Sequence, residues 1–95
     1  MIMSAKSIIT DDITVCYICG RPAEGAHHCV YGNANRKLSD KYGLIVGLCY
    51  NHHRGNEGVH FNRELDMELK QMAQKRFMEV YPNEDFMKIF GKNFL

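Results

Sequence analysis

The sequence predicts a small α+β domain, and three observations carry that expectation. Two short stretches rich in apolar and β-forming residues, Gly25 to Tyr31 and Leu44 to Cys49, lie in the first half of the chain. The second half holds a long segment, Asn62 to Tyr81, whose apolar residues recur at helical spacing. All four cysteines and all five histidines lie before residue 61, so the chemistry is expected at the strand end of the domain.

The first element expected is a strand over Ile13-Thr14-Val15-Cys16-Tyr17, which runs into a tight turn at Cys19-Gly20-Arg21-Pro22. A second strand over Gly25 to Tyr31 carries the adjacent pair His27-His28 and ends at the turn-rich Gly32-Asn33-Ala34-Asn35. A polar loop then reaches Tyr42-Gly43. The continuous apolar run Leu44-Ile45-Val46-Gly47-Leu48-Cys49 reads as a buried strand. After a further loop at Arg54 to Gly58, Asn62 caps a long helix, with Glu64 and Asp66 in the first turn, where the helix dipole favours acids. Leu65, Leu69, Met72, Ala73, Phe77 and Val80 form its apolar face, and Pro82 stops it. A short final helix, started by Asn83, Glu84 and Asp85, buries Phe86, Ile89 and Phe90 before Gly91.

At 95 residues, the chain is expected to be one domain over 13–95, with 1–12 as a tail or partner-dependent arm. An apolar fraction of 45% with 24% charged residues argues for a packed core over disorder. The net charge of +1 excludes a broadly basic binder. Arg36, Lys37 and Lys41, however, crowd the polar loop beside the histidines and make a local positive patch. The N-terminal stretch lacks a long apolar core and meets Asp11-Asp12 at once, so no signal peptide is expected. No apolar run approaches the roughly 18 residues of a membrane span. The expected setting is cytoplasmic and reducing, where paired cysteines hold metal rather than disulfides.

Cys16-x2-Cys19 and Cys49-x2-His52 each have the two-residue spacer that lets both side chains reach one tetrahedral ion. Together they predict a structural zinc on Cys16, Cys19, Cys49 and His52. Cys29 competes for the fourth position, but it lies away from either knuckle in a strand, where a buried free cysteine is ordinary, so His52 is preferred. His27, His28, His53 and His60 are then left without a structural task and predict a second site. Buried imidazoles need partners for both nitrogens, so adjacent ones in an apolar strand are costly unless used.

A C-x2-C knuckle, a His-His pair in a strand, an apolar strand into Leu-Cys-x2-His-His and then a helix resemble the HNH endonucleases of the His-Me finger, or ββα-metal, class. The likeness spans Cys16 to about Val80. Within the class the chain is most similar to small phage-type members and to the RecA-dependent recombination-enhancement nucleases. The resemblance implies a zinc-stabilised ββα-metal fold, hydrolysis of DNA phosphodiester bonds, and a phage or prophage protein acting in a bacterial cytoplasm. It implies His28 as general base, with His27 and His53 at a catalytic divalent cation (Mg, Mn or similar) and His60 as a further ligand there or a phosphate contact. An imidazole-rich site suits Mn, Ni or Zn at least as well as Mg. The family's middle Asn, which orients the general base, has no counterpart in Tyr42-Gly43-Leu44-Ile45-Val46. Asn33, Asn35, Asn51, Asn56 or a backbone carbonyl on His28 Nδ1 are the alternatives. His53 and His60 also stand seven apart across two glycines rather than four apart on one helix.

Arg36, Lys37, Lys41, Arg54 and Arg63 are the expected contacts to phosphates of single- or double-stranded DNA. The sequence shows no recognition helix and no aromatic stacking platform, so weak sequence preference is expected. A zinc-stabilised nucleic-acid-binding module without catalysis explains both knuckles but leaves four histidines idle. A redox protein working through Cys16 and Cys19 predicts freely titrating thiols.

Overall fold

The computed structural model describes residues 7–32, 34–55 and 58–95. Residues 1–6 of the expected arm lie outside the described residues, as do Asn33 and Asn56. The element order is β1 (Gly25–His28), α1 (Asn35–Tyr42), β2 (Ile45–Leu48), α2 (Tyr50–His53), α3 (Arg63–Val80) and α4 (Phe86–Phe90). This is an α+β fold in which an antiparallel strand pair is followed by a long and then a short final helix.

β1 and β2 pair with Gly25 opposite Leu48, His27 opposite Val46 and His28 opposite Ile45. All four residues of β2 are buried, as its continuous apolar run requires. Gly47 is demanded by close approach. A Cβ there would lie 2.2 Å from the Ile13 carbonyl oxygen and 2.6 Å from that of Val15. The outer edge of β2 is covered by the preceding chain. Tyr17 N–H donates to Gly47 O (2.8 Å), and the Ser7 hydroxyl donates to Ile45 O (2.6 Å). Ser7 to Thr10, expected as part of an arm, therefore lie docked on the strand.

Three local expectations differ from what is found. The strand expected over 13–17 is reduced to a single bridge, Val15 to Pro22. Its partner is its own return leg, where Gly20 takes a left-handed φ of 79° and Pro22 has no N–H to extend a ladder. The loop expected between the strands is instead helix α1. Ser39, its one buried residue, donates to Val30 O (2.6 Å), and Leu38 and Tyr42 pack against the core. A polar serine at the centre of the inward face hid the helical stripe, and Ala34 supplies no side-chain cap. Gly43, at φ 76°, closes α1 and lets Leu44 enter β2. The third difference is α2, a single helical turn directly after Cys49.

α3 follows its expected signals. Asn62 Oδ1 accepts from Leu65 N–H (3.1 Å), and Leu69, Ala73, Gln74 and Phe77 are buried. Met72 and Val80, expected on the apolar face, are exposed. α4 is capped by Asp85, whose carboxylate accepts from Lys88 N–H (3.2 Å), and it buries Phe86 and Phe90 with Ile89 partly covered. Phe77 is fully buried, and its ring lies 5.2 Å from Tyr42, 5.2 Å from Tyr81, 5.4 Å from Phe86 and 5.9 Å from Phe90. Among the described residues no helix is long and apolar enough to cross a membrane.

Phe77→Ala opens a cavity at the point where α1, α3 and α4 meet. It is expected to destabilise the domain by about 3–5 kcal/mol, read as a lowered midpoint in denaturant unfolding of the zinc-loaded protein.

Candidate metal centre and histidine cleft

Cys16 enters from the turn that closes at Pro22, and its N–H bonds Arg21 O (2.6 Å). Cys49 ends the β2 segment in extended geometry (φ −71°, ψ 168°) and serves as N-cap of α2, which brings His52 one turn later onto the same side. Among the described residues, Cys16, Cys19, Cys49 and His52 form a group whose ligand atoms all lie within 4.8 Å of one another. Cys19 Sγ is 3.7 Å from Cys49 Sγ, and His52 Nδ1 is 3.3 Å from Cys49 Sγ and 3.6 Å from Cys16 Sγ. Around a tetrahedral zinc, with Zn–S of about 2.3 Å and Zn–N of about 2.0–2.1 Å, the edges should be about 3.8 Å for S to S and about 3.5 Å for S to N. These three separations match, the others stay within 4.8 Å, and the donor set fits a structural zinc.

Electrostatics favours the same use. Burial works against the Cys16 thiolate, but backbone N–H groups of Cys49, Cys19 and Ile18 outweigh it and bring the thiol down to about 6. At Cys19 a backbone donor from Arg21 acts downward. Burial and the neighbouring Cys16 and Cys49 sulfurs overcome it and push the thiol up. Three sulfurs this close repel one another as thiolates unless a cation lies between them. All four cysteines are free of disulfides. Cys29 stands apart from the cluster, fully buried, with its thiol pushed up to about 12 by burial and by Asp66.

The remaining histidines line a cleft of about 580 Å³ together with Tyr31, Arg36 and Arg54. β1 supplies His27 and His28, α2 ends on His53, and the following turn supplies His60. The seven-residue gap between His53 and His60 closes because the chain folds back at once. Val59 N–H donates to His52 O (2.9 Å) and Asn62 N–H to Gly58 O (2.9 Å). Gly58 fits because a Cβ there would lie 2.9 Å from the His52 carbonyl oxygen. The His53 and His60 rings stack at 5.9 Å, and His27 meets them at 5.5 and 6.4 Å. This triad is looser than the cysteine cluster.

The individual rings are held differently. His27 is 5% exposed, and its buried Nε2 has no hydrogen-bond partner among the described residues. Burial first, then His53 and His60, brings its pKa down to about 4 against the opposing pull of Asp66, so the ring is neutral at pH 7. His53 Nδ1 lies 2.6 Å from Glu24 Oε2, which also accepts from Arg54 Nε (2.7 Å). The Arg54 hydrogen bond is the main reason that the Glu24 carboxyl sits below its usual range. An ionised carboxylate only accepts, so Nδ1 is the donor in the His53–Glu24 contact. His28 Nε2 pairs with Asp40 Oδ1 on α1 at 2.8 Å. Tyr31, which packs against the His27 ring at 5.9 Å, is tied to α3 through Asp66 (3.1 Å), itself paired with Lys70 (2.7 Å).

Of the five cations expected at phosphates, Arg36 and Arg54 line the cleft, and Arg54 is shared with Glu24. Lys37 and Lys41 stand exposed on α1, with Lys41 Nζ 5.3 Å over the Tyr42 ring. Arg63 opens α3 and lines a separate shallow groove with Met67 and Gln71. Asn35, one candidate for orienting His28, donates instead to Phe90 O (3.3 Å). Asn51 lies on α2. Glu24 and Asp40, which contact His53 and His28, and the exposed Phe61 on the cleft wall carry no signal in the sequence. Single acidic or aromatic residues at no fixed spacing from the histidines give no signal to find them by.

Cys19 is the exposed member of the cysteine cluster, so Cys19→Ser removes a ligand with little loss of packing. Purified protein is expected to hold one zinc per chain by elemental analysis. The variant, or wild type treated with a chelator, is expected to lose zinc and unfold at a clearly lower temperature. No family model matches the chain, and neither a curated protein nor a solved structure matches it.

Proposed function

We propose that the protein is an HNH-type, metal-dependent endonuclease that hydrolyses DNA phosphodiester bonds with little sequence preference. The observation that carries this reading is the buried, unpartnered Nε2 of His27 beside the His53 and His60 rings. His27 Nε2 is buried with no partner among the described residues, and His53 turns its Nδ1 to Glu24, which would leave Nε2 for a metal. An unsatisfied buried nitrogen costs about 1–3 kcal/mol, and a ligated cation removes that cost. His27 and His53, with His60 beside them, would hold a divalent cation. Bound there, the cation supplies charge stabilisation at the phosphate and the leaving oxygen. Three imidazoles favour Mn, Ni or Zn over Mg.

The chain's own groups do the rest. A neutral His28 accepts a proton from the attacking water, a step suited to an imidazole near pH 7. Arg36 and Arg54 on the cleft wall draw in the phosphate and set its position. Glu24 keeps His53 in the tautomer that a metal ligand needs. The zinc cluster joins the 16–19 turn to the start of α2, which supports His53 from behind.

The looser spacing of the His27, His53 and His60 rings, against the tight cysteine cluster, favours a second reading. In it the domain is a zinc-stabilised module that binds nucleic acid without cutting it.

Plasmid nicking with Mg or Mn separates the two. His28→Ala is expected to slow nicking by about 10²–10⁴-fold with zinc content unchanged. Equal rates for wild type and variant sink the nuclease reading, and retention of DNA without cutting by either supports the module. Glu24→Ala is expected to weaken Mn binding by about 10–100-fold in titration calorimetry while the structural zinc stays in place.

A further inference from the structure

We propose that Asp40 is the positioning residue of His28, and that its carboxylate makes Nδ1 the proton-accepting atom of that ring. The inference rests on reading His28 as the general base and supplies what the sequence lacks there, a group that orients it. His28 Nε2 lies 2.8 Å from Asp40 Oδ1. An ionised carboxylate has no proton to give, so a neutral His28 in this contact carries its proton on Nε2 and presents the Nδ1 lone pair.

The backbone between the two residues keeps the contact in register. Asp40 follows Ser39, the buried residue of α1, whose hydroxyl donates to Val30 O (2.6 Å) two residues beyond His28. Ser39 O in turn accepts from Leu44 N–H (2.8 Å) and from the cap N–H of Gly43, and Cys29 N–H donates to Leu44 O (2.9 Å). One buried serine thus anchors α1 to both strands beside the pair. Stability does not account for the contact. The side chains are 28% and 56% exposed, and a polar contact so open to water adds little to stability. Its effect falls on which nitrogen of His28 is bare and where the ring stands.

The test compares Asp40→Ala, Asp40→Asn and Asp40→Glu with wild type in zinc-loaded protein. Nicking with Mn is read as separate kcat and KM, and the ring nitrogens of His28 are read by ¹⁵N NMR. The expected result is a fall in kcat of about tenfold or more for Asp40→Ala and Asp40→Asn, equivalent to about 1.4 kcal/mol. KM should stay within about twofold, and Asp40→Glu should recover part of the loss. In the His28→Ala background, Asp40→Ala should change nothing further. The NMR signals should show protonated Nε2 and bare Nδ1 in wild type, and a mixture in Asp40→Asn, whose amide can donate. An unchanged kcat in Asp40→Ala, an equal loss in both backgrounds, or a wild-type His28 protonated on Nδ1 overturns the proposal. If His28→Ala nicks as fast as wild type, the nuclease reading fails by itself. If no form nicks, the tautomer alone decides the assignment of Asp40.

Discussion

Cys49 stands where β2 ends and α2 begins, and its sulfur belongs to the four-residue cluster. Cys49 is still extended, the helical turn begins at Tyr50 directly after it, and its sulfur joins those of Cys16 and Cys19. His52 and His53 follow from it by helical rotation, one toward the cysteines and the next toward the cleft. The two sites are therefore coupled by covalent sequence. A group that moved Cys49 would move His52 in the cluster and His53 on the cleft together.

The elements that could be read from the sequence are those whose signals are local. Asn62 and Asp85 cap their helices with side chains, and the apolar run of β2 is buried throughout. The two knuckles were legible because ligand spacing reflects the reach of side chains to a shared ion. Helix α1 is hard to read because a buried serine stands on its inward face among only two apolar residues, Leu38 and Tyr42. The strand at 13–17 was overread, since β-propensity says nothing about whether a partner with free N–H groups lies alongside. The four histidines stood out as a surplus. The carboxylates beside two of them, Glu24 at His53 and Asp40 at His28, come from a bend before β1 and from α1, and only the folded chain brings them near.

In the proposed site the histidines are distinguished by their neighbours and not by their own chemistry. His27 is buried and neutral, His53 leans on Glu24, and His28 leans on Asp40. On this reading His27 and His53 offer Nε2 and His28 offers Nδ1. That division of labour among identical side chains is what a site combining cation ligation with proton transfer requires.

The cover over β2 has a consequence for how this protein behaves in a crowded solution. A two-stranded sheet has two edges, and an open edge is a template on which other chains add strands. Here the carbonyls of Ile45 and Gly47 on the outer edge are already taken by the Ser7 hydroxyl and the Tyr17 N–H. Gly47 lets the 13–17 segment press against the strand too closely for any larger residue. The small side chain at this one position thus works as protection against strand-to-strand aggregation, in a sheet whose apolar run would otherwise invite it.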